Sequence, residues 1–99
     1  EKASIQIKEF KVDLNERRIE SNSNKISLTE KEINLIIYLN ESIKPVNIKK
    51  LQTEVWGYKS KLNSHTVETH IHRLRKKINS KLNKKNFILS DKNGYYLNK

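Results

Sequence analysis

Cysteine and methionine are absent from these 99 residues, and proline occurs once, at Pro45. Without cysteine, neither a disulfide framework nor a Cys-ligated zinc site can form. No apolar run approaches the ~18–20 residues of a membrane span, and no signal-peptide pattern opens the chain, so a cytoplasmic setting is the default expectation. Without methionine an initiator is lacking, and the chain is expected to be a piece of a longer protein. Acids are scarce in one place in particular. Residues 1–62 carry 12 Lys/Arg against 9 Asp/Glu, whereas residues 63–99 carry 9 against 2. The formal net charge of +10 therefore lies mostly in the C-terminal third, which points to nucleic acid or an anionic surface as partner. Hydrophobic residues make up only 34%. They fall in periodic clusters, enough for one domain with a small packed core.

What is present is organised around residues 64–79, SHTVETHIHRLRKKIN. At about 100° per residue, Val67, Ile71, Leu74 and Ile78 form one narrow seam. His65, Thr69, His72, Arg73 and Lys76 take the opposite side. Glu68 and Arg75 line one flank, and Thr66, His70 and Lys77 the other. Glu68 is the sole acid of this helix. A helix built for solubility alone would mix both signs outside. This one suits a polyanion, and its width suits the DNA major groove.

The remaining chain supplies a frame. Ile5 and Ile7, then Phe10, Val12 and Leu14, alternate with period two; Arg17 to Glu20 and the stretch opened by Ile26 and Leu28 follow, separated by the turn cluster at 21–24. Four alternating segments predict a small antiparallel sheet over residues 1–28. Thr29 with Glu32 three residues later predicts a capping box opening a first helix, whose apolar face is Ile33, Ile36, Ile37, Tyr38 and Leu39. Lys44-Pro45 stops it. Asn47 is placed to cap a second helix, Ile48 to Val55, ended by Trp56-Gly57-Tyr58. Asn63 or Ser64 caps the third. Ser80 to Asn86 reads as a polar connection, and Phe87 to Leu89 with Tyr95 to Leu97 as a hairpin turned by the Asn93-Gly94 pair. The expected fold class is α+β: sheet, three helices over 29–79, and a hairpin over 87–98, a helix-turn-helix with a wing.

The ordered pattern Leu28-Thr29-x-x-Glu32, Leu51-x-x-x-Val55-Trp56-Gly57-Tyr58, Thr66-Val67-Glu68-x-His70-Ile71-x-Arg73-Leu74-Arg75-Lys76-Lys77 and Gly94-Tyr95 resembles the OmpR/PhoB-type winged-helix domain, the DNA-binding effector half of two-component response regulators. The resemblance covers essentially the whole chain. It implies that the third helix enters the major groove of double-stranded DNA, that the wing reaches the neighbouring minor groove, and that two copies bind tandem half-sites. The isolated domain is then expected to be monomeric, and a phosphorylatable receiver domain to precede it in the full protein. By the same resemblance, Glu68, Thr69, His72 and Arg73 are the candidates for base edges. Trp56, His65, Thr66, His70, Arg75, Lys76, Lys77, Lys92 and Tyr95 are the candidates for phosphate. Gly57, Tyr58, Lys59, Ser60, Lys61, Leu62 and Asn63 are the candidates to meet RNA polymerase. Two departures stand out. His65 replaces an arginine with a weaker, pH-dependent cation. Asp91 stands where the family's wing places arginine; phosphate would repel it, and Lys92 lacks the planar fork.

Plainer roles stand beside these. Trp56 is suited to packing, with its N–H left for phosphate. Arg75-Lys76-Lys77 suits the C-terminal end of a helix dipole. One of Tyr95 and Tyr96 packs while the other is exposed. His70 and His72 point about 200° apart on a helix, so no metal set is expected. No cofactor and no catalytic constellation is expected either, since no nucleophile stands beside an oriented base. Two other readings remain open: a winged-helix module that docks an acidic protein, and the cytoplasmic DNA-binding head of a membrane-anchored activator.

Overall fold

The computed structural model describes residues 3–58 and 61–99. Strands β1 (Ser4–Ile7), β2 (Phe10–Asp13), β3 (Arg18–Ser21) and β4 (Asn24–Ser27) form an antiparallel meander in sequence order. Register aligns Ile5, Val12, Ile19 and Ile26 in one row and Gln6, Lys11, Glu20 and Lys25 in the next. The apolar row faces the core, as period two requires. With few glycines, the tight turns fall on Lys8, Arg17 and Asn22, all at positive φ. Asp13 Oδ1 accepts from the amides of Asn15 and Glu16 at 3.1 and 2.9 Å, shaping one of these corners.

Helix α1 (Glu30–Glu41) opens on the expected capping box. Thr29 Oγ1 accepts from the Glu32 amide at 3.1 Å, and Glu32 Oε1 accepts from the Thr29 amide at 2.8 Å. Its buried residues are Ile33, Leu35, Ile36 and Leu39, while Ile37 and Tyr38 are half-buried. Leu35 thus joins the inner face because α1 packs against both the last strand of the hairpin and the turn over Gln52–Trp56. Helix α2 (Ile48–Leu51), capped by Asn47, passes into a π-helical turn over Gln52–Trp56 instead of staying α-helical to Val55. Neighbouring side chains hold that wider turn: Lys31 Nζ donates to the Val55 carbonyl at 3.4 Å, and the Gln52 amide donates to the Leu62 carbonyl.

Helix α3 (Ser64–Leu82) is capped by Asn63, whose Oδ1 accepts from the Thr66 amide at 2.8 Å. It runs three residues past Asn79 because nothing in Ser80-Lys81 breaks it and Leu82 adds a buried rung to the seam. Asn83, in the left-handed conformation at φ 54, ends it. The hairpin β5 (Ile88–Asp91) and β6 (Gly94–Leu97) closes on the pair Asp91↔Gly94. Its two-residue turn is Lys92-Asn93, neither at positive φ, so it is not the primed type that an Asn-Gly pair signals. Phe87 stays outside β5 and is buried edge-on against Phe10, ring centroids 5.2 Å apart. Val46, before α2, adds a short third rail: its N–H and C=O exchange 2.8 Å bonds with Tyr95. One continuous core joins the sheet, the helices and the hairpin. This is the α+β winged helix expected, with the sheet ahead of it.

Candidate nucleic-acid interface

The phase of α3 is set by its seam: Val67, Ile71, Leu74, Ile78 and Leu82 are all buried. Burying five apolar side chains on one line leaves the other residues no choice of direction. His65, Glu68, His72, Arg73 and Lys76 are exposed, and Thr66, Thr69 and Arg75 are half-exposed. Of the base-edge candidates, Glu68, His72 and Arg73 stand free of the core. Thr69 turns its hydroxyl back to the His65 carbonyl at 3.0 Å, which fixes its rotamer. His65 Nδ1 lies 3.9 Å from Glu68 Oε1, both well exposed.

One flank of α3 meets the end of the π turn. The Trp56 and His70 rings lie 5.6 Å apart at 37°, with Trp56 packed on the core's edge. Together with Arg73, Thr29, Lys31, Glu32 and Leu35 they line a cleft of about 420 Å³. Packing and phosphate contact are compatible for Trp56 here, because the ring is only half-buried. Lys77 is different. Its Nζ donates to Glu32 Oε1 at 2.8 Å and to the Ser27 carbonyl at 3.1 Å. Lys77 is thereby held at the side of α3 that packs against β4 and the start of α1, paired with an acid as Arg73, Arg75 and Lys76 are not among the described residues.

The other flank meets the wing. Tyr95 is partly buried, and burial raises its phenol pKa; the Glu68 carboxylate raises it further and Arg75 opposes. The phenol therefore remains an O–H donor well above neutral pH. Glu68, Asp91, Lys92 and Tyr95 share a depression of about 300 Å³ with residues at the start of α2. Two carboxylates and a single lysine give the wing tip a mixed field.

Cations elsewhere on this face are uncompensated. Among the described residues no carboxylate pairs with Arg73, Arg75 or Lys76. The fold also brings in two residues that spacing did not single out. Lys85 and Asn86 share a cleft with His72, Arg75, Lys76 and Asn79. The only signal for them in the sequence is a Lys-Lys pair in a polar connection.

In the α2–α3 connection, Lys59 and Ser60 lie outside the described residues. Tyr58 is 81% exposed and donates its hydroxyl to Glu54 Oε2 at 3.0 Å, which raises the phenol pKa. Gly57 takes φ 103, Lys61 is exposed, Leu62 is half-buried, and Asn63 is engaged as the α3 cap. His65, His70 and His72 gather no metal set; among the described residues no group of three His, Cys, Asp or Glu could hold an ion. No described helix is long and apolar enough to cross a membrane.

Comparison with known proteins places this architecture. The family model described as "Transcriptional regulatory protein, C terminal" matches residues 23–97. The transcriptional regulatory protein SrrA of Staphylococcus aureus is 36% identical over 76 residues, which cover 76% of this chain and 32% of SrrA. The chain thus spans about a third of the length of that relative. The DNA-binding domain of E. coli CadC superposes with a TM-score of 0.82 at 23% identity, over 97% of this chain and 92% of that one. The DNA-binding domain of the response regulator AdeR, solved in complex with an intercistronic region, gives 0.76 at 22%, over 95% and 98%. These structural likenesses show the shared winged-helix fold, and the family match extends from the third sheet turn to the last wing strand. The chain belongs to the family of transcriptional regulatory protein C-terminal domains, the OmpR/PhoB-type effector domains, which are regulators and not enzymes.

Proposed function

We propose that this domain binds double-stranded DNA sequence-specifically, with α3 in the major groove, and regulates transcription in the cytoplasm as the output half of a longer, phosphorylation-controlled response regulator. The observation that carries the reading is the division of charge on α3. Lys77 is neutralised by Glu32, while Arg73, Arg75 and Lys76 point outward with no acid to meet them among the described residues. Arg73, His72, Glu68 and Thr69 serve the base edges, Arg73 as the planar fork that best matches guanine. Trp56, Thr66 and His70 on one flank, Arg75, Lys92 and Tyr95 on the other, and His65 and Lys76 on the outward face between them serve the phosphate backbones and so fix register. The relative's greater length accommodates the receiver. Two copies pair on tandem half-sites, and the exposed Tyr58 and Lys61 of the α2–α3 connection offer a surface to RNA polymerase.

Selection from random duplex DNA at near-physiological salt, repeated at higher salt, tests this. A recovered tandem repeat with half-sites about one helical turn apart is the expected result. Binding without any motif, fading as salt rises, would leave only a non-specific polycation.

A protein-docking module is the second reading, favoured by the carboxylates of Glu68 and Asp91 beside the wing. Replacing Asp91 with arginine separates the two. If the wing lies against DNA, the variant binds more tightly and its salt dependence steepens by about one charge. Unchanged affinity in a filter or anisotropy titration would remove the wing from the interface.

A further inference from the structure

Beyond the reading helix and the wing, the structure assigns a further phosphate seat: the cleft between the C-terminal half of α3 and the segment 83–87, closed by Lys85, which holds a backbone phosphate of the bound duplex. The inference rests on the DNA-binding reading above and extends it to a residue outside both elements that carry that reading. The cleft has a volume of about 400 Å³ and is lined by His72, Arg75, Lys76, Asn79, Lys85 and Asn86. No carboxylate lines it among the described residues. Three permanent cations, an imidazole and two amides make a set rich in N–H donors, which suits an oxyanion and would leave a neutral ligand's donors unmatched.

The chain after α3 is shaped to put Lys85 there. Asn83 and Asn86 both take the left-handed conformation, φ 54 and φ 60, and fold the segment back beside the helix. The two lysines between them then part company. Lys84 reaches Glu9 on the sheet side, Nζ to Oε2 3.6 Å, while Lys85 is exposed and pairs with no acid among the described residues. Phe87, buried against Phe10, pins the far end. Lys85 is therefore a surface lysine on a backbone fixed at both ends, so less ordering is needed when it meets a ligand.

Position argues for a duplex phosphate over a free one. His72 and Lys76 belong to the outward face of α3, and Arg75 to the flank that meets Tyr95. From His72 to Asn79 the helix rises roughly 10 Å, comparable to the ~12 Å width of the major groove. A strand edge that follows the Tyr95–Arg75 flank of a helix lying in that groove runs next past Lys85.

The test compares Lys85→Ala and Lys85→Glu with the unaltered chain, by fluorescence anisotropy over a salt series, on the selected duplex and on a random duplex of equal length. Both variants are expected to lose affinity on both duplexes by a similar factor, about 3-fold or more for alanine and further for glutamate. The salt slope should fall by about one unit for alanine, with the selected motif unchanged. Lys84→Ala, whose lysine faces Glu9, should leave the slope nearly as it was. Equal slopes and affinities for the Lys85 variants and the unaltered chain would overturn the seat, whatever motif is recovered. A changed motif would overturn it too, by making Lys85 a base reader. If the unaltered chain shows no sequence preference, the DNA-regulator reading fails, yet the random-duplex slopes still decide the seat. Competition by millimolar inorganic phosphate, lost in Lys85→Ala while the duplex slopes stay equal, would reassign the cleft to a free anion.

Discussion

Replacing Gly94 with alanine is expected to destabilise the domain by about 2–5 kcal/mol, combining backbone strain with overpacking. An added Cβ would stand 2.3 Å from both C and O of Val46 and 2.7 Å from the Asn47 nitrogen. All three are backbone atoms, so no side chain can swing aside. The residue also sits at φ +138, a conformation L side chains rarely adopt. Relief would require the hairpin to slide away from Val46, breaking the paired 2.8 Å bonds to Tyr95 and disturbing the Asn47 cap of α2. A urea or thermal unfolding curve measures the effect, and a loss of roughly 10 °C or more in Tm is expected. Gly57→Ala is the informative companion. It too has positive φ, +103, but its Cβ would meet nothing within 4 Å. It should therefore cost only the conformational part, about 1–3 kcal/mol. Equal losses in the two variants would mean that the approach to Val46 is not what the wing requires.

Replacing Arg73 with alanine is expected to weaken binding to the selected site by ~5- to 150-fold, the range of about 1–3 kcal/mol per good bidentate contact. The loss should be confined to preference at one position per half-site. Arg73 is exposed on α3, unpaired with any acid among the described residues, and reaches the mouth of the cleft holding Trp56 and His70. Its place between the reading face and a phosphate flank leaves two roles, and the variant distinguishes them. A uniform drop over all sequences, with a shallower salt slope, would make Arg73 a backbone contact. Lysine at this position sharpens the distinction. It keeps the charge but not the planar fork, so it should retain the salt slope while losing base preference. Folding should be untouched in both variants, since the side chain supports no part of the core.

Features that depend on neighbours along the chain are legible in the order of residues alone. The Thr29–Glu32 capping box, the Asn47 and Asn63 caps and the α3 seam each involve residues within a few positions or on one repeating stripe. Their geometry is dictated locally. Boundaries are less legible. The π turn at 52–56 looks the same as α-helix to a periodicity argument, because one widened turn shifts no more than a residue. The end of α3 is set by the burial of Leu82 and by Asn83, and a polar Ser-Lys pair announces neither. Contacts across long sequence separations are not legible at all. Nothing in the order of residues shows that Val46 pairs with Tyr95, or that Lys77 is drawn inward by a carboxylate forty-five positions away. The same holds for Lys84 and Lys85, adjacent and chemically identical, which the fold sends to different sides. Composition puts most of the net charge in the C-terminal third of the chain; only packing decides which cations remain outside.

Helix α3 also keeps two obligations on separate faces. Val67, Ile71, Leu74, Ile78 and Leu82 hold the fold together, and truncating any one would cost on the order of 2–5 kcal/mol. His65, Glu68, His72 and Arg73 contribute nothing to that core. Over evolutionary time the outward residues are free to drift, since exchanging them brings the chain no nearer its unfolding threshold. On the proposed reading, a duplicated copy of this domain can acquire a new genomic address by a few surface substitutions, while inheriting the architecture unchanged. Selection on that specificity, as proposed, and selection on foldability would then act on different residues of the same nineteen-residue helix.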